Sequence, residues 1–236
     1  MNSIQVLQVL QARFGSANWN DWHIYRQPIY DFIRYTPAGV TQLNFFQVAL
    51  GTADPVSTLA KTLEQTNLNK PQSVGQNYFI AQELRTDCRW LPKPRQPSAI
   101  STDADVLWTT MTDAMSVYTQ LLRLGVLTLT IGDKSFFEVQ RPFTNAPPGY
   151  GVDIVHHAAR NLASTLGDRI WVQPDPSRKN VMSLTPPQLI EPEQTFTVKI
   201  DFPEGTSPVT TNLVSGASPA IECGVILDGY IARPAQ

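Results

Sequence analysis

Between Gln194 and Phe202 the apolar side chains of Phe196, Val198 and Ile200 alternate with Thr195, Thr197 and Lys199. This is the period-two pattern of a half-buried antiparallel strand. A second signature surrounds a glycine turn. Val126-Leu127-Thr128-Leu129-Thr130-Ile131 runs into Gly132-Asp133-Lys134-Ser135, and Phe136-Phe137-Glu138-Val139-Gln140 follows, which predicts a β-hairpin. Further runs with strand character lie at 29–35, 41–50, 78–90, 169–172, 183–190 and 220–231. Thr36-Pro37-Ala38-Gly39 turns the first of these into the second, as a hairpin or a sheet corner. Glu191-Pro192-Glu193, Pro203-Glu204-Gly205 and Ser215-Gly216 punctuate the later runs.

Helical spacing appears in fewer places. Ile4, Val6, Leu7, Val9 and Leu10 predict a short amphipathic helix over 4–13, broken near Gly15 and followed by Trp19, Trp22 and Tyr25. Residues 1–28 therefore read as an amino-terminal arm, either folded over its own domain or docked on a neighbouring subunit. Val56, Leu59, Ala60, Leu63 and Leu68 have helical spacing over 55–68. The clearest helix spans 102–124: Thr102 caps it, Asp105 stands at the third position, and Val106, Leu107, Met111, Ala114, Met115, Tyr118, Leu121 and Leu122 form its apolar face. Arg123 and Gly125 close it. A shorter helix is expected over 154–166, and Pro92, Pro94 and Pro97 make 91–97 an extended connector. The expected fold is mainly β: a single jelly-roll β-sandwich of about eight antiparallel strands, occupying 29–236, with helical insertions in the connections and one near 102–124.

Charged residues make up 16 % of the chain and apolar ones 42 %, so Ser, Thr, Asn and Gln must supply much of the polar surface. Such a surface suits close packing against other protein. Net charge is −2, and Lys and Arg are scattered singly. A chain that neutralises many phosphates carries a basic stripe instead, so direct nucleic-acid binding is not expected. No stretch approaches the roughly 20 apolar residues of a membrane-spanning helix, and no signal peptide is expected at the amino terminus.

The sequence carries no recognisable catalytic or metal-binding pattern. His156 and His157 are adjacent, so on a helix they diverge by about 100° and cannot readily share a metal; His23 is remote in sequence. Cys88 and Cys223 have no metal-site or nucleophile spacing and read as core thiols, able to pair only if their strands are neighbours. Gly149-Tyr150-Gly151 lacks the rest of a phosphate loop. Asp201 with Glu204, and Glu191 with Glu193, flank turns and read as solvated carboxylates rather than a glycosidase pair. Trp19, Trp22, Trp90, Trp108 and Trp171 fall in different elements, which favours packing over a sugar platform. The expectation is a non-enzyme without catalytic residues, cofactor or metal.

Ile221-Glu222-Cys223-Gly224-Val225-Ile226-Leu227-Asp228-Gly229 resembles the strand-turn segment of jelly-roll capsid proteins of tailless, lipid-containing bacteriophages of the corticovirus type. Leu129-Thr130-Ile131-Gly132-Asp133-Lys134 is similar in character. The resemblance implies a shell-forming subunit of a virion, assembled in the host cytoplasm through self-association into trimers or pseudo-hexameric capsomers alongside other virion proteins. It leaves membrane contact open. Trp19, Trp22, Tyr25, Met111, Met115 and Tyr118 are the candidate subunit contacts. A carbohydrate- or receptor-binding sandwich is the alternative, motivated by the dispersed aromatics and uncharged polar loops.

Overall fold

The computed structural model describes residues 3–15, 19–34, 40–55, 59–91, 124–140, 181–202 and 220–235. Within them the chain is mainly β, with one α-helix, α1 (Ser3–Phe14), a short 3₁₀ turn at Trp19–Asp21, and nine strands. The strands are β1 (Trp22–Arg26), β2 (Ile29–Arg34), β3 (Gln42–Phe45), β4 (Tyr78–Leu91), β5 (Val126–Ile131), β6 (Lys134–Gln140), β7 (Met182–Ile190), β8 (Phe196–Asp201) and β9 (Ala220–Pro234).

They form two antiparallel sheets. One has the order β1-β9-β4-β7, with β2 also pairing with β9; the other has the order β3-β8-β5-β6. Strands β1 and β2 follow each other along the same flank of β9, opposite residues 230–234 and 222–227 respectively. Alternation explains the layering. In β8 the buried Phe196, Val198 and Ile200 face inward, while Thr197, Lys199 and Asp201 are half-buried on the other face. Cys223, Val225, Leu227 and Ile231 of β9 join Phe79 and Leu84 of β4 and Leu127 and Leu129 of β5 in one apolar core between the sheets. Burying each large aliphatic or aromatic side chain there contributes roughly 1.5–3 kcal/mol.

The β5–β6 hairpin forms as expected, with Ile131 opposite Lys134 across Gly132 and Asp133. Gly132 has a φ of 58°, which glycine accepts without steric cost. Pro186 and Pro187 lie in β7, which ends its sheet, so their missing N–H groups are tolerated. Strands β4 and β9 are neighbours, and Cys88 stands opposite Cys223 in their register.

Three expectations change. Residues 59–68 form turns and bridges rather than the expected helix: Leu59 and Leu63 are exposed and Lys61 is buried, the reverse of an amphipathic helix. The backbone there bonds outward, with Phe32 N–H donating to Gln65 and Lys61 N–H to Thr52, so the groups a helix would use are already engaged. The run 41–50 yields only the four residues of β3, because Phe46 turns the chain with a φ of 65°. Residues 22–26, read as part of an arm, are a strand of the larger sheet. The helices expected over 102–124 and 154–166, the proline connector beyond Leu91 and the run 169–172 lie outside the described residues, Leu124 apart.

Candidate functional site

The arm packs against its own sheet. Val6, Leu7 and Leu10 of α1 are buried on Ile80 of β4 and Ala232 of β9, and Trp22, Ile24, Tyr78, Leu189 and Tyr230 border them. This apolar group lies on the outer face of the larger sheet, separate from the core between the sheets. Phe14 closes the end of the helix in an aromatic trio, stacked on Trp22 at 5.5 Å and edge-on to Tyr78 at 5.3 Å. An exposed ion pair from Arg13 to Glu191, at 2.6 Å, adds a tether.

Further along the same outer face Asp228 accepts two hydrogen bonds from Arg26, at 3.1 and 2.5 Å, and a third from Arg85 at 3.2 Å. Arg85 also donates to Glu83 at 2.9 Å. Glu222, nearly fully buried, accepts from Gln65 at 2.9 Å.

The least expected site lies at the flank of the sandwich. Asp31 alternates with Ile29 and Ile33 in β2, which puts a carboxylate on the core-facing side of the strand. Its Oδ1 accepts from Lys61 Nζ at 2.6 Å, and both side chains are completely buried. Its Oδ2 accepts from the backbone N–H of Phe46 at 2.7 Å. Thr66 supplies a further side-chain hydrogen bond. Burial pushes the Asp31 carboxyl up from its ordinary value, against the opposing pull of the Lys61 ammonium and the two other donors. Lys61 is held by its backbone, which donates to Thr52 at 2.9 Å and accepts from Gly51 at 2.9 Å. The pair thus pins the long β3–β4 connection to β2. A cleft of about 270 Å³, lined by Ile33, Val40, Leu43, Asp54 and Lys61 among others, opens beside it.

Of the expected subunit contacts, Trp22 belongs to the intramolecular aromatic trio, Tyr25 lies 39 % exposed in β1, and Trp19 opens the 3₁₀ turn. Met111, Met115 and Tyr118 lie outside the described residues. Asp201 accepts from Gln42 at 2.5 Å and pairs with Lys199 at 3.0 Å; Glu204 lies outside the described residues. Glu191 and Glu193 are engaged by Arg13 and Lys70. Sequence reasoning passed over Asp31 and Lys61. Ile29-Tyr30-Asp31-Phe32-Ile33 already carries the signal, since period-two alternation puts the aspartate on the face of the two isoleucines.

Among the described residues no three His, Cys, Asp or Glu side chains are grouped as a metal site, and no helix is long and apolar enough to cross a membrane. No protein-family model, curated protein or solved structure matches this chain.

Proposed function

We propose that the chain is a virion structural protein, a capsid subunit built on a single jelly roll that self-assembles into the shell of a virus or bacteriophage. The observation that carries this reading is the strand order. When β1 and β2 count as one position on the flank of β9, the nine described strands give eight positions along the chain. One sheet then runs first-eighth-third-sixth and the other second-seventh-fourth-fifth. First pairs with eighth, second with seventh, third with sixth and fourth with fifth, as when one long antiparallel hairpin is rolled into two layers. Jelly rolls have this two-Greek-key winding and are shared by capsid proteins, lectins and cupins.

Two further features favour the shell over those relatives. With 16 % charged residues, copies of the chain can pack with little mutual repulsion. The register also gathers strand ends. Leu91 of β4 lies opposite Ala220 of β9, and Val126 of β5 lies between Asp201 of β8 and Gln140 of β6. In the smaller sheet, therefore, the strand ends from which 141–180 and 203–219 depart lie together with the one to which 92–123 returns, and in the larger sheet 92–123 departs beside the end to which 203–219 returns. Subunits of a shell meet through such connections while the sandwich supplies a rigid body. In this reading the chain performs no catalysis and acts by self-association.

Purified particles from the source, imaged by electron microscopy and analysed by mass spectrometry, test the proposal. The chain is expected in the shell density at a copy number matching the shell lattice. Its absence from particles, together with a strictly monomeric state at high concentration, would overturn it.

A further inference from the structure

We propose that the folded chain joins Lys61 to Asp31 through an intramolecular isopeptide bond. The reactive groups are already in contact. Lys61 Nζ lies 2.6 Å from Asp31 Oδ1, which leaves Nζ and the carboxyl carbon near the roughly 3–3.5 Å separation from which bonds form. Both side chains have no solvent exposure, so water that would compete or reverse the reaction is held away.

The surroundings favour the step. An ion pair this deep carries a large desolvation penalty, which transfer of a proton from the ammonium to the carboxylate relieves. The raised Asp31 carboxyl is in keeping with that transfer. The neutral amine then attacks Cγ, and the Nζ–Cγ bond forms. Oδ2 takes up negative charge in the tetrahedral intermediate, where the N–H of Phe46, 2.7 Å away, is aimed at it. Phe46 adopts a φ of 65°, a strained conformation for a non-glycine residue, which keeps that donor turned inward. A proton from the nitrogen passes to the departing hydroxyl, the Cγ–Oδ1 bond breaks, and water leaves. No oxidant, reductant or cofactor takes part. The product amide is uncharged and ties the β3–β4 connection covalently to β2.

The test is the intact mass of the full-length protein, denatured after prolonged folded incubation at neutral pH. The wild type is expected to be lighter than its sequence by one water, and digestion should give a branched peptide joining Lys61 to Asp31. Asp31→Asn lacks the carboxylate that takes up the ammonium proton, so its amine stays charged and the variant should have its full sequence mass. Lys61→Arg keeps a positive charge but lacks the amine, and should have its full mass. Wild-type protein at full sequence mass overturns the proposal, as does a water deficit that persists in Lys61→Arg. The bond does not depend on what the subunit assembles into, so this test and the particle test can fail separately.

Discussion

Phe32 of β2 covers Gly224, its opposite partner in β9, so closely that a Cβ at position 224 would stand 2.1 Å from the ring's Cε1. A glycine inside a strand usually marks such a close approach. Gly224→Ala is expected to lower folding stability by about 1–3 kcal/mol in urea unfolding, the range for overpacking. Phe32→Ala opens the space, so the double variant should lose less than the sum of the two single losses. Strictly additive losses would show that the ring does not impose the glycine.

In protein whose intact mass shows Lys61 and Asp31 still unjoined, Lys61→Met removes the ammonium that the structure shows bonded to Asp31. Breaking a buried pair from one side lowers stability by about 3–5 kcal/mol. Burial already raises the Asp31 carboxyl above its ordinary range, and losing the ammonium raises it further. The folded variant then holds its proton more tightly than the unfolded chain. Its deficit should be smallest below the unfolded value of about 3.9 and grow as pH rises through the folded value. Urea midpoints of variant and wild type across that range provide the check; a gap independent of pH would contradict it.

Leu10→Ala leaves a hole between α1 and the sheet, because Leu10 is completely buried against the outer face. The loss should fall within the range of about 2–5 kcal/mol for such truncations. The cluster under α1 is separate from the main core, so hydrogen exchange should quicken in residues 6–14 and leave β8 nearly unchanged. Equal acceleration in both sheets would mean that the helix opens only when the whole domain does.

Asp228→Asn weakens the junction of Arg26 and Arg85. The Asp228 side chain is 12 % exposed but Arg26 is mostly in solvent, so solvent screening reduces the loss to about 1 kcal/mol. Thermal unfolding of Asp228→Asn beside Arg26→Gln measures it, and coupling between the two substitutions is expected. Independent effects would place the stabilising contacts elsewhere.

Local patterns were the legible part of this chain. The alternation of β8 and the turn chemistry at Gly132 predict what the structure contains, because both depend on neighbours in sequence. The leucines at 59 and 63 misled, since their helical spacing serves no buried face and both project outward. Trp22–Arg26 gave little sign of being a strand because its partner is the far end of β9, with Trp22 opposite Pro234. The Asp31–Lys61 contact was half visible: alternation turned the aspartate inward, but only the path of the β3–β4 connection brings the lysine to it.

Strand β9 lies between β4 on one side and β1 and β2 on the other. It is also made after all of them. A ribosome-bound chain therefore cannot close the larger sheet until residues 220–234 have emerged, and until then β1 and β2 have no partner in it. Prematurely ended chains would lack the middle of the sheet rather than its border. The order of synthesis thus works as a completeness check, delaying a finished surface until translation of this segment is over.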